Sequence, residues 1–101
     1  MILVVFRSRL RPEAAEEYAA EAAEIAALAR TQPGILSFKT FAASDGERVT
    51  LAEFADDDAV VAWREHTRHK AAQQRGKTEF YSEFHLQVCD VLRTSSKTDE
   101  P

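Results

Sequence analysis

The order in which two hydrophobic periodicities follow one another constrains the fold of this chain more than any other feature. Residues 2–10 (ILVVFRSRL) are rich in β-branched and aromatic side chains and alternate apolar with polar from Phe6 onward, as a half-buried strand does. Residues 13–30 instead carry Ala, Tyr and Ile at helical spacing, opposite a row of glutamates. That pattern predicts an amphipathic helix, and Pro12 suits its first turn.

The middle of the chain predicts a β-hairpin. Residues 32–34 (QPG) end the first helix, because Pro cannot continue it and Gly supplies the turn. Residues 35–43 and 48–55 read as strands two and three, and the loop between them has Asp-Gly at its centre. A short hairpin makes these strands antiparallel neighbours.

A second helix and a last strand complete the pattern. Asp56–Asp58 offer N-capping oxygens and negative charge at a helix start. Thr67 is a plausible N-cap for a continuation to Gln74, so an interruption is expected just before it. Gly76 marks the helix end, and residues 78–92 alternate as a long fourth strand.

The order β-α-β-β-α-β predicts an α+β ferredoxin-like sandwich, in which both helices cover one face of an antiparallel four-stranded sheet. Residues 1–93 form one domain, and residues 94–101 (TSSKTDEP) have nothing to bury and are expected to be a disordered tail. Because so small a domain exposes much apolar surface, we expect a homodimer that buries sheet faces. Amphipathic outward positions suit that interface: Arg7, Arg9, Tyr81, Glu83, His85 and Gln87.

Composition and missing motifs exclude several functional classes. A formal net charge of −4 argues against nucleic-acid binding. The single cysteine, Cys89, allows no internal disulfide and no Cys-based zinc site. The apolar start is too short for a signal peptide, and no apolar run is long enough to span a membrane, so we expect a cytoplasmic protein. Gly-rich phosphate loops and Gly-x-Ser-x-Gly elbows are also absent from the sequence.

Four residues of the second helix suggest a site. Trp63, His66, His69 and Gln73 follow one another at spacings of three or four, so they neighbour each other along one side of the helix. An apolar gap between helix and sheet, with polar groups at its lip, is the usual form of a small-ligand site. Either His can take a proton from a phenol or enol near neutral pH. The alternative interpretation is a core Trp with two surface His residues.

Two further interpretations of this helix are weaker. A metal ion at His66 and His69 needs more ligands than Glu65 and His85 supply, so no metal site is predicted. The basic residues on the helix predict ion pairs with the acidic first helix. An anionic ligand drawn to Arg68 and Lys70 is the alternative.

Residues 63–81 (WREHTRHKAAQQRGKTEFY) resemble the antibiotic biosynthesis monooxygenase (ABM) family, and most of all its haem-degrading or quinol-type branch. The resemblance covers residues 1–93. It implies a dimeric domain with a cavity between helices and sheet, and an oxidoreductase that oxidises a small aromatic or quinol-like substrate with O2 and no cofactor. Under this resemblance Trp63 lines the cavity and His66 or His69 is the catalytic base. The other expected substrate-binding residues are Phe38, Gln73 and Tyr81.

The same resemblance leaves two alternatives open. Haem-opening relatives use an Asn on strand one, the helix-two Trp, and an axial His at the position that Gln73 occupies here. This chain keeps Trp63 but has no Asn in strand one. Haem bound through His66 or His69 is one alternative, and a non-catalytic stress or ligand-binding module is the other.

Overall fold

A four-stranded antiparallel sheet forms the centre of the computed structural model, which describes residues 1–99. The spatial order is β2-β3-β1-β4, so β2 and β4 are the edges. The predicted ferredoxin-like α+β sandwich is confirmed. The strands are β1 (Ile2–Leu10), β2 (Ile35–Ala42), β3 (Arg48–Phe54) and β4 (Tyr81–Asp90).

Three helices cover one face of this sheet. They are α1 (Ala15–Ala29), α2 (Asp57–Glu65) and α3 (Thr67–Arg75). A short 3-10 turn, Pro12–Ala14, precedes α1, and a wide π turn, Gly76–Phe80, joins α3 to β4. The inward stripe of α1 is mostly alanine, with Tyr18 and Ile25 as its large buried side chains.

The second predicted helix is interrupted at His66, as expected. The residue that caps the helix after the interruption differs from the prediction. His66 has extended backbone (φ −61°, ψ 125°), and its Nδ1 accepts a hydrogen bond from the Arg68 N–H at 3.2 Å. The predicted cap, Thr67, is instead the first residue of α3. The prediction was wrong because an imidazole nitrogen serves as the acceptor that capping oxygens usually provide.

The start of β4 also differs from the prediction. The strand begins at Tyr81 rather than at residue 78, because the π turn takes up the preceding residues, and the Tyr81 N–H donates to the Gly76 carbonyl. An irregularity in the pairing with β1 then pairs Leu10 with Tyr81 and Ser8 with Phe84. This shift puts Tyr81 on the helix-covered face, so its predicted outward position was wrong.

The core consists of two clusters beneath the helices. One contains Ile25, Ala29, Ala52, Phe54 and Trp63, and the other contains Ala14, Tyr18 and Phe80. Ile2 and Val4 pack against the first cluster and Leu10 packs against the second, so the two clusters lie toward opposite ends of β1.

Residues 1–99 show three further features. The opposite sheet face carries a shallow groove lined by apolar and polar residues: Leu3, Ser37, Lys39, Phe41, Leu51 and Glu53. No helix in this part of the chain has the length and apolar character needed to cross a membrane. Residues 91–99 contain neither helix nor strand, and the last two residues of the predicted tail lie outside the described residues.

Two glycines allow the turn geometry to be tested. Gly34 has φ +82°, and an added Cβ would lie 2.7 Å from the Ala59 Cβ. Gly46 has φ +93°, and a Cβ added there would have no other atom within 4 Å.

We expect Gly46→Ala to lower the free energy of unfolding by about 1–2 kcal/mol, from backbone strain alone. Gly34→Ala should cost at least about 1 kcal/mol more, because α2 must shift. Urea unfolding of both variants measures the difference, and equal losses would contradict the close α2 contact.

Candidate functional site

A cavity of about 450 Å³ lies between the helices and the sheet. Its floor is the helix-covered face of all four strands, and its roof comes from α1, α2 and α3. A volume of this size is typical of small-ligand sites. The apolar part of the floor includes Val4, Phe6, Phe38, Ala52, Phe54, Phe84, Leu86 and Val88.

Trp63 belongs both to the core and to the cavity wall. Its side chain is buried among the first core cluster, and it also lines the cavity. Phe38 meets it edge to face, with ring centroids 6.2 Å apart. The two sequence interpretations of this residue are therefore compatible.

His69 lies flat against the indole ring of Trp63. The ring centroids are 4.1 Å apart and the planes differ by 15°. His69 Nδ1 is 3.0 Å from the backbone carbonyl oxygen of Trp63. Since a carbonyl oxygen can only accept, Nδ1 carries the proton, and Nε2 is the unprotonated nitrogen of the neutral ring. This arrangement leaves a basic nitrogen on a side chain that lines the cavity.

Gln73 contacts the same nitrogen of His69. Its Nε2 is 3.1 Å from His69 Nδ1, one helical turn away. An amide N–H would need Nδ1 as an acceptor, whereas the Trp63 carbonyl needs it as a donor, so the two contacts compete for Nδ1. The shorter contact to the carbonyl assigns the proton to Nδ1. Gln73 also lines the cavity, so it contacts both the base and the space beside it.

Burial lowers the pKa of His69 below its ordinary value of 6.5. The hydrogen bond to the Trp63 carbonyl opposes this shift, and the nearby His66 adds to it. The charged imidazolium is disfavoured in a partly apolar site. His69 is therefore neutral at pH 7 and able to accept a proton.

His66 has a different position from His69. Its ring is tilted at 48° to the Trp63 ring with centroids 5.9 Å apart, and its Nδ1 caps α3. It is not among the residues that line the cavity. Of the two predicted catalytic histidines, only His69 is brought into the site. Within residues 1–99, no group of three potential metal-ligating side chains forms around them.

Ion pairs to α1 hold α3, which contains no buried residue. Arg68 binds Glu21 and Glu24, and Arg75 binds Glu17, Glu21 and Glu79. Hydrogen bonding from Arg68, opposed in part by burial, lowers the pKa of Glu21. A network of this kind fixes position better than isolated surface pairs do.

The predicted ion pairing of the helices is thereby observed. Arg68 pairs with the glutamates of α1, and Lys70 pairs with Glu65, whose carboxylate lies 2.9 Å from its Nζ. The alternative, an anionic ligand at Arg68 and Lys70, stays a prediction.

The remaining predicted residues converge on the cavity. Phe38, Gln73 and Tyr81 all line it. The sequence reasoning missed Tyr18 and Thr50, which also line it. Alternation in β3 already puts Thr50 on the same face as Ala52 and Phe54, and this was the available signal.

Comparisons with known proteins agree with this architecture. The family model described as "Antibiotic biosynthesis monooxygenase" matches residues 1–75. The Bacillus subtilis (strain 168) protein YqjZ is 32% identical over 90 residues, which cover 89% of this chain and 78% of YqjZ.

Solved structures share the fold at low sequence identity. Rv0793 from Mycobacterium tuberculosis has a TM-score of 0.85 at 19% identity, covering 94% of this chain and 98% of that chain. A structure described as an antibiotic biosynthesis monooxygenase has a TM-score of 0.82 at 17% identity, covering 92% of this chain and 100% of that chain.

The protonation of His69 can be observed directly by NMR. We expect long-range ¹H–¹⁵N spectra to show the Nδ1–H tautomer, with a pKa below 6.5 because burial disfavours the charged ring. His69→Gln assigns the resonances. An Nε2–H tautomer, or titration at or above 6.5, would contradict the geometry.

The same pKa shift affects stability. The unfolded chain binds a proton at His69 more readily than the folded chain does, so the free energy of unfolding falls as pH drops below about 6.5. This part of the pH dependence should be absent in His69→Gln.

Proposed function

Because the chain belongs to the antibiotic biosynthesis monooxygenase family, we propose that it oxidises a small hydroxylated aromatic or quinol-like substrate with O2 in the cavity beside Trp63. The observation that carries this proposal is the His69 ring, whose Nδ1 is engaged by the Trp63 carbonyl and whose Nε2 is left as a base. The apolar floor suits an aromatic ring system.

The first step is proton transfer. His69 Nε2 takes the hydroxyl proton of the substrate and becomes an imidazolium, while the substrate becomes an electron-rich anion. The Trp63 carbonyl stabilises that imidazolium through its Nδ1–H. This geometry exists before substrate binds, so little reorganisation is needed.

Oxygen then reacts with the anion. The anion passes one electron to O2, and the substrate radical and superoxide combine at a ring CH carbon. The imidazolium returns its proton to the distal peroxide oxygen, which gives a hydroperoxide. Loss of water from it breaks the O–O and C–H bonds and leaves a carbonyl oxygen that derives from O2. No metal or flavin is required in this sequence of steps.

Haem, the alternative raised by the sequence, fits the described residues less well. Gln73 occupies the position of the axial His in haem-opening relatives, and its amide is engaged with the His69 ring. The helix-covered face of β1 presents Val4, Phe6 and Ser8, with no Asn. We derive no step through haem. A Soret band that shifts on titration with haem, and fails to shift in His69→Gln, would favour this alternative.

We also propose that two copies associate through the sheet face opposite the helices. Leu3, Phe41 and Leu51 line a groove on that face, and Val5 pairs with Leu51 beside it. Burying these side chains against the same face of a second copy removes apolar surface from water.

Turnover tests the role of each histidine. The measurements are the consumption of O2 with hydroxynaphthalenes and anthrones, and the incorporation of one ¹⁸O atom from ¹⁸O2 into the product. We expect His69→Gln to lower kcat by about 10²–10⁴, the usual contribution of a general base. His66→Asn should stay close to wild type, because Asn also caps a helix.

Two other outcomes would contradict the roles proposed for His69 and His66 or the catalytic function itself. Activity that survives in His69→Gln but not in His66→Asn would reverse the assignment of roles. Tight binding of these aromatics by the wild type without any O2 consumption would favour the non-catalytic binding module.

The oligomer has its own test. Leu51→Lys should convert a species of twice 11.3 kDa into the monomer, because it places a charge in the proposed interface. Val61→Lys, at an exposed position on α2, is the matched control and should leave the mass unchanged. Light scattering after size exclusion measures both. A monomeric wild type, or an intact dimer in Leu51→Lys, would exclude this interface.

A further inference from the structure

One end of the cavity carries two tyrosines that the proposed chemistry does not use. Tyr18 belongs to the second core cluster and Tyr81 packs against it, whereas Trp63 belongs to the first cluster. Both tyrosines line the cavity, and their ring centroids are 5.8 Å apart with the planes at 66°. The cavity therefore has His69, stacked on Trp63, toward one end and two phenols toward the other.

The hydroxyl groups of both tyrosines are open to the contents of the cavity. Within residues 1–99, no hydrogen bond joins either hydroxyl to a backbone or side-chain group. The same residues contain one buried side-chain nitrogen or oxygen without a partner, and it is the Arg48 Nε rather than a tyrosine oxygen. Each hydroxyl is therefore accessible from the cavity that Tyr18 and Tyr81 line.

The phenols keep their protons and so remain hydrogen-bond donors. Burial is the main cause that raises the pKa of Tyr81, and the neighbouring Tyr18 adds to it through a contact looser than a full hydrogen bond. The charge of Arg48 opposes the shift. Two O–H donors side by side match a single carbonyl oxygen, which has two lone pairs to accept them.

The position of Gly76 favours a fixed orientation of Tyr81. A Cβ at residue 76 would lie 2.6 Å from the Tyr81 ring, so only Gly allows the ring to pack where it does. The phenol is thereby held at the cavity wall by the π turn. A donor held in place before the ligand arrives loses little freedom on binding.

The separation of the two ends suits a ligand with two oxygen atoms. Tyr18 and Ile25 both lie on α1, and Ile25 belongs to the same core cluster as Trp63. Their positions in the sequence put them about 10 Å apart along the helix axis. A fused two-ring aromatic with oxygen atoms at its opposite ends spans a comparable length. One ligand can therefore reach His69 and the two tyrosines together.

We propose that the Tyr18 and Tyr81 hydroxyls donate to one carbonyl oxygen of the ligand, so that the substrate class is a hydroxylated aromatic ketone whose carbonyl is conjugated with its hydroxyl. When His69 takes the hydroxyl proton, conjugation spreads the negative charge to the carbonyl oxygen, where the two donors stabilise it. The proposal rests on the cavity being the ligand site of the proposed function. The competing explanation is that the two hydroxyls bind only water.

Calorimetric binding of a matched pair of probes distinguishes these explanations. The probes are 6-acetyl-2-naphthol and 6-isopropenyl-2-naphthol, which have nearly the same shape but carry C=O and C=CH2 respectively. We expect the wild type to bind the ketone about tenfold more tightly, as two hydrogen bonds allow. Tyr18→Phe and Tyr81→Phe should each reduce that preference about threefold and leave the affinity for the alkene unchanged.

A control variant and a second measurement guard against indirect effects. Thr40→Val removes a cavity-lining hydroxyl that lies 2.7 Å from the Thr50 hydroxyl, and it should keep the full preference for the ketone. Infrared spectra of the bound ketone should show a carbonyl stretch at lower frequency in the wild type than in the variant that lacks both phenol hydroxyls. A wild type that binds both probes equally, or a preference that survives in both Tyr18→Phe and Tyr81→Phe, would overturn the proposal.

The result is separable from the fate of the proposed function. A tyrosine-dependent preference for the ketone in a protein that consumes no O2 with any aromatic would support the carbonyl site and contradict the monooxygenase. Turnover of hydroxylated aromatics without any preference for the ketone would do the reverse.

Discussion

The contact on which the site depends is the one between the His69 ring and the end of α2. The carbonyl of Trp63 belongs to the last turn of that helix, where carbonyl oxygens lack intrahelical partners. It accepts from the His66 N–H at 3.2 Å and lies 3.0 Å from His69 Nδ1. The helix break at His66 therefore creates the acceptor that fixes the tautomer of His69. One backbone feature therefore fixes the position of the candidate base and the nitrogen that carries its proton.

The cavity and the ion network are consequences of the same helix. α3 carries His69 and Gln73 but buries no residue of its own, and Ala72 is its apolar contact with the core. Because the inward side chain of α3 is small, space remains between this helix and the sheet. Other contacts must therefore hold α3 in place. Arg68 and Arg75 provide them through the glutamates of α1. The ion pairs of Arg68 and Arg75 hold α3 to α1, and His69 stacks on Trp63 at the cavity. The cavity beside these rings leaves room for a ligand.

The sequence predicts the strands and the element order well because period-two and helical patterns report directly on which faces are buried. It also groups Trp63, His69 and Gln73, since helical spacing makes them neighbours. It could not predict the π turn and the pairing irregularity that bring Tyr81 onto the cavity side. The irregularity lies in the pairing with β1, which is distant in sequence. The buried Nε of Arg48, which has no hydrogen-bond partner among residues 1–99, likewise depends on tertiary contacts that no local pattern reveals.

We propose that Trp63 and His69 open onto one cavity that receives a hydroxylated aromatic ring. A crystal structure of the protein with 2-naphthol bound tests this proposal. We expect the naphthalene rings over the apolar floor near Phe38, with the hydroxyl oxygen within hydrogen-bond distance of His69 Nε2. A ligand bound elsewhere, or a hollow filled by repacked side chains with His69 Nε2 turned to solvent, would contradict it.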